Sequence, residues 1–126
     1  MAQYLIVFFG AGIGGTLRHG VNLIAARLFG GGFPFGTLTV NVVGSIVMGL
    51  LAGYFAFRGE AAQPWRLFLT TGVLGGFTTF SSFSLDSAVL WERHDFIPLI
   101  LYVLVSLIVS FAGLMAGLAL MRQIMS

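Results

Sequence analysis

The spacing of charge constrains this chain before anything else. Its 126 residues carry ten charged side chains: Arg18, Arg27, Arg58, Glu60, Arg66, Asp86, Glu92, Arg93, Asp95 and Arg122. They fence off four neutral stretches, residues 1–17, 28–57, 67–85 and 96–121, of 17, 30, 19 and 26 residues. A helix needs about 20 mostly apolar residues to cross the hydrocarbon core of a bilayer. Charged residues make up 8% of the chain, where a soluble domain has about 25%. A soluble globular domain and a disordered chain are therefore excluded. A nucleic-acid binder is excluded too, because a net charge of +2 makes no basic patch.

The expected fold is an all-α membrane protein, a single domain over residues 1–126 with four transmembrane helices. They are placed at about 3–29, 35–57, 65–91 and 96–121. The glycines at 30–32 and Pro34 mark one turn, Pro64 suits a helix start, and Trp65 and Trp91 bracket the third span where the membrane interface favours tryptophan. The first span is read as retained, since no basic n-region or cleavage site precedes it. Cysteine is absent, so disulfides and thiolate metal sites are excluded. A chain this small has little interior of its own, and oligomerisation in the bilayer is expected.

Glycines recur at i, i+4 in Gly10/Gly14, Gly49/Gly53, Gly72/Gly76 and Gly113/Gly117. That spacing lets membrane helices approach closely. Charge gives almost no orientation. Arg58, Arg66 and Arg122 fall on one side of a four-span chain, Arg27 and Arg93 on the other, with Arg18 deeper in span 1. Insertion both ways, followed by antiparallel pairing, is one expectation from that balance.

The pool of acids and bases is thin: Arg18, His19 and Asp86 within the spans. No nucleophile sits beside a base, and no metal-ligand spacing occurs, so an enzyme is not expected. The spans instead hold neutral polar rows. Thr37, Asn41 and Ser45 share one helix face, and so do Tyr102, Ser106 and Ser110. Such rows either bond across helices or line a water- or ion-filled path. In span 3 the adjacent glycines 75 and 76 precede five hydroxyl residues, Thr78, Thr79, Ser81, Ser82 and Ser84. A mid-membrane break around Gly75–Thr79 is expected, and it would free backbone carbonyls able to coordinate a hard cation. Phe77, Phe80 and Phe83 follow every three residues. They read either as packing or as rings whose positive edges draw an anion into a path. Arg18 reads either as snorkelling to the interface or as lining a vestibule that attracts anions.

Three segments carry a resemblance over essentially the whole chain: Gly12-Ile-Gly-Gly-Thr-Leu-Arg18, Gly36-Thr-Leu-Thr-Val-Asn41-Val-Val-Gly-Ser45 and Gly75-Gly-Phe-Thr-Thr-Phe80-Ser-Ser-Phe83-Ser84. With them the chain resembles the Fluc (CrcB) fluoride channels of microorganisms. The resemblance implies a passive fluoride channel that exports toxic cytoplasmic fluoride. It also implies an antiparallel dual-topology homodimer with two pores, in the inner (plasma) membrane. Phe80 and Phe83 would present ring edges to fluoride, and Asn41 would bond near the pore mouth. Thr37, Tyr102, Ser106 and Ser110 would complete the polar lining. Arg18 would sit by the vestibule, and the carbonyls of Gly75 and Thr78 would hold a central sodium ion. Asp86 falls where an acidic residue is expected, without an assigned role.

Two other functions compete. A small four-helix multidrug exporter needs a membrane-embedded carboxylate for proton exchange; span 1 carries an arginine instead. A non-conducting scaffold subunit accounts for the glycine pairs but leaves the polar rows and the third span unexplained.

Overall fold

The computed structural model describes residues 1–126, and every regular element in it is helical. Helix α1 is Ala2–Phe29, α2 is Phe35–Phe55 and, after a 3-10 turn at Glu60–Ala62, α3 is Gln63–Leu67. A π-helical stretch, Phe68–Leu74, joins α3 to the short α4, Gly75–Phe77; α5 is Phe80–Glu92 and α6 is Phe96–Met125. The chain thus makes four helical arms, the third of them segmented.

Two arms, α2 and α6, are single helices long and apolar enough to cross a membrane. The other two fall short of that measure for local reasons. Helix α1 has the length, but the polar pair Arg18-His19 interrupts its apolar run. The third arm changes helical pitch at Phe68 and leaves the helical region at Thr78 (φ −84°, ψ 157°) and Thr79 (φ −153°, ψ 118°). The expected discontinuity over Gly75–Thr79 is narrower in the structure, because Gly75–Phe77 keeps a helical turn. Two β-branched residues in succession favour the extended backbone, and glycine before them holds helix weakly.

Glycine decides which arms meet. A methyl at Gly10 would come within 2.9 Å of the Gly72 Cα; one at Gly14 would strike the Val73 carbonyl, and one at Gly76 the Ala11 carbonyl. Helix α1 therefore lies backbone to backbone against the third arm. Likewise, Gly49 faces Leu114 and Gly117 faces Ile46, which locks α2 to α6. Each of the four glycine pairs read from the sequence is in such an approach. In lipid, where apolar surface brings no hydrophobic gain, this closeness is what van der Waals attraction requires.

Only 15 of the 126 residues are buried. The rest of the apolar surface, including Phe8, Ile24, Ile97, Ile108 and Phe111, faces outward. That inside-out distribution matches a hydrocarbon solvent and not water.

Gly14→Val should force the α1 backbone off the third arm and lower the thermal unfolding midpoint in detergent by the equivalent of about 3 kcal/mol. Gly20→Ala, where an added methyl meets nothing within 4 Å, should raise it slightly, since alanine is the better helix former by up to ~1 kcal/mol.

Candidate functional site: two cavities on either side of Tyr102

The interruption at Thr78 and Thr79 releases backbone groups that an unbroken helix would pair. Three side chains answer it. The Asn41 side chain accepts from the Thr79 N–H through Oδ1 (2.8 Å) and donates from Nδ2 to the Thr79 carbonyl (3.0 Å), so one amide satisfies a whole peptide residue. Arg18 reaches across from α1 and donates Nε to the Gly76 carbonyl (3.1 Å). Thr79 Oγ1 accepts from the Ser82 N–H (3.1 Å) and caps α5. Thr78 folds its own hydroxyl back onto the Leu74 carbonyl (2.9 Å).

These bonds have a consequence for Gly75 and Thr78. In a continuous helix the Gly75 carbonyl would accept from Thr79 and the Thr78 carbonyl from Ser82. Both N–H groups are directed elsewhere, to Asn41 Oδ1 and Thr79 Oγ1. The two carbonyls therefore lack their helical donors.

Beside the interruption lies a cavity of about 420 Å³ between α2, α5 and α6. Asn41, Ser45, Thr78, Thr79, Phe80, Phe83, Ser106 and Ser110 line it, with no ionisable side chain among its walls. Ser106 and Ser110 stand one helical turn apart on α6. Their hydroxyl oxygens are buried and have no hydrogen-bond partner within the chain. A buried hydroxyl left so costs about 1–3 kcal/mol. The rings of Phe80 and Phe83 lie 5.6 Å apart at 46°. Phe80 is 73% exposed in the single chain, so a neighbour or lipid must cover it.

A second cavity, about 330 Å³, opens between α5, α2 and the loop after α1. Its polar walls are Asn22, Thr37, Ser82, Asp86 and Arg93. Tyr102 lies between the two. It is fully enclosed, its ring lies 5.2 Å from Phe83 and 5.6 Å from Phe33, and its hydroxyl donates to Asp86 Oδ2 (3.1 Å). The α6 row of Ser110, Ser106 and Tyr102 thus runs along the first cavity to the edge of the second.

The polar rows are brought together where α2 faces α6, but their members differ in use. Thr37 lines the second cavity and Ser45 the first, while the Asn41 amide is committed to the Thr79 backbone. Arg18 lines neither cavity; its Nε bonds the Gly76 carbonyl. Gly75 is exposed and Thr78 part-buried on the third arm. Phe77 departs from its two companions: its ring lies toward Gly44 and its backbone nitrogen toward Gly14. Three participants escaped sequence reasoning: Asn22, Phe33 and Arg93. Arg93 follows Asp86 by seven residues and Ser82 by eleven, a spacing that places all three along one helix face.

No metal-binding cluster of His, Cys, Asp and Glu occurs. The first cavity offers neutral donors and phenyl rings, and the third arm offers freed carbonyls.

The profile of the family described as CrcB-like protein, Camphor Resistance (CrcB), matches residues 5–118. A protein of Nitrobacter hamburgensis named fluoride-specific ion channel FluC 2 is 61% identical over 122 residues, covering 97% of this chain and 98% of that relative. Relatives named fluoride-specific ion channel FluC from Methylobacterium nodulans and Rhodopseudomonas palustris are 60% and 55% identical. The first alignment covers 98% of each chain; the second covers 96% of this chain and 98% of the relative.

Asn41→Ala should remove both bonds to Thr79 and destabilise the fold by about 2 kcal/mol, with faster hydrogen exchange at the Thr79 and Phe80 amides. Ser45→Ala, one turn along α2, should leave that exchange unchanged.

Proposed function

This chain belongs to the CrcB-like family, and from that membership we propose that it is a fluoride-specific ion channel, a passive exit for cytoplasmic fluoride in the inner (plasma) membrane. The relatives named above support the ion, and the first cavity supports the path. The observation that carries the reading is the pair of unpartnered hydroxyls at Ser106 and Ser110. Fluoride is small and strongly hydrated, so a conduit must replace its water with donors, and serine, threonine and tyrosine hydroxyls donate. An ion moving along α6 meets Ser110, Ser106 and Tyr102 in turn. Phenyl edges at Phe80 and Phe83 add attraction for an anion without formal charge, so the ion can still leave. Larger halides gain less from so compact a donor set. Tyr102 stands between the two cavities, with its hydroxyl on Asp86.

The conducting unit is proposed to be an antiparallel dual-topology homodimer with two pores. The near-even division of arginines between the two loop sides supports insertion both ways. The 73% exposure of Phe80 supports a partner over that face. All four arms would then cross the bilayer, with the interruption at Thr78 and Thr79 inside the protein and away from lipid.

Sodium fits the third arm. The Gly75 and Thr78 carbonyls have lost their helical donors, and carbonyl oxygens are ligands of a hard cation. Gly75 is exposed, so a second copy could offer the same pair at a two-fold axis. When bound, the ion would offset the negative ends of the carbonyl dipoles. Asn41 and Arg18, by holding Thr79 and Gly76, shape the backbone that presents those carbonyls.

Vesicles loaded with potassium fluoride and holding the purified protein should release fluoride once an ionophore carries potassium. Vesicles loaded with potassium chloride should release little chloride. Equal release of both, or of neither, would remove the reading. Phe80→Ile should cut fluoride release at least about tenfold with the oligomer intact, as ring electrostatics is lost while bulk is kept. Purification with lithium or N-methylglucamine in place of sodium should weaken the oligomer or its fluoride release; indifference would exclude the cation site.

A further inference from the structure

Among the side chains that line the two cavities on either side of Tyr102, Arg93 alone is a cation. Arg18, the arginine nearest mid-chain in its helix, is withdrawn to the Gly76 carbonyl. We infer that Arg93 is the residue that recruits the anion, drawing it into the second cavity from its mouth. The inference rests on the channel reading and extends it to the entry step.

The geometry is that of one helix face. Ser82, Asp86, Val89 and Arg93 succeed one another on α5 at intervals of four, three and four residues and all line the cavity. Arg93 therefore lies about 10 Å along the axis from Asp86. The deep end holds the Asp86 carboxylate, which accepts from Tyr102. The open end holds the guanidinium, 43% exposed, on the residue that caps the C-terminus of α5. An anion approaching from water meets the cation first and the carboxylate last. Without the cation, the cavity's only formal charge would be negative and would repel its own substrate.

Arg93 is also held in place. Its Nη2 donates to the Gly32 carbonyl of the loop after α1 (3.4 Å), and its Nε lies 3.8 Å from Asp95 Oδ2. The first contact is a long one and sets the guanidinium beside the loop after α1. The second mutes its field, because Asp95 is itself 45% exposed and carries the opposite charge. Attraction by a single surface charge is strong only at low ionic strength, since the screening length falls from about 30 Å at 0.01 M salt to about 3 Å at 1 M.

The test reads single-channel fluoride current in planar bilayers at fixed low fluoride, with potassium gluconate as the background salt. At ~10 mM gluconate, Arg93→Gln should lower the current about two- to threefold, and at ~1 M the difference should vanish. Arg93→Lys should restore the current at low salt, and Asp95→Asn should raise it. Elution profile and unfolding midpoint should match the parent, which separates recruitment from folding. A parent current that Arg93→Gln leaves unchanged at low salt overturns the inference while the channel reading stands. So does a loss that persists at ~1 M, or one that lysine does not repair, since either would make Arg93 a strap for the Gly32 loop. No fluoride current from the parent overturns both readings.

Discussion

A membrane-spanning backbone must satisfy its own N–H and carbonyl groups, because lipid offers them nothing. The third arm departs from that rule at Thr78 and Thr79, and the rest of the molecule is arranged around the departure. Asn41 supplies a side-chain amide that pairs with Thr79 on both sides of its peptide unit. Arg18 crosses from α1 to the Gly76 carbonyl. Thr79 restarts the helix by capping Ser82. The Gly75 and Thr78 carbonyls stay outside this repair, because the N–H groups that a continuous helix would send them go to Asn41 and Thr79.

The repair depends in turn on close approach between arms. Asn41 reaches Thr79 because α2 and the third arm meet at Gly44, where any side chain would strike Thr78 Cγ2. Arg18 reaches Gly76 because α1 lies against the third arm at Gly10, Gly14 and Gly76. The glycine pairs and the polar side chains are thus one device: small residues set the distance, and the amide and guanidinium use it. Helix α5 is positioned by the same restart, which sets Phe80 and Phe83 against the serines of α6 across the first cavity.

Much of this was legible along the chain. Charge-free lengths marked four arms, glycine spacing marked the faces that meet, and hydroxyl rows marked the walls of the cavities. The Gly-Gly-Phe-Thr-Thr run marked where the third arm would fail as a helix, though its glycines kept a turn that composition alone argued against. Less legible were the tasks of the polar residues. Asn41 read as a pore donor, and its amide is bound to a backbone 38 residues away. Arg18 read either as snorkelling or as a vestibule charge, and its Nε bonds a carbonyl 58 residues away. Arg93 read as a loop residue, yet it stands over a cavity.

By itself, the sequence determined the solvent, the helical class and the family. Those follow from local quantities: apolar length, helical period and short ordered motifs. Only the tertiary structure decided which donors are spent and which remain. Asn41, Arg18 and Thr79 are satisfied by backbone that the interruption exposes, while Ser106 and Ser110 stay unpartnered in the cavity. A hydrogen bond is decided by distance and angle to a partner distant in sequence, and no periodicity along one helix carries that information.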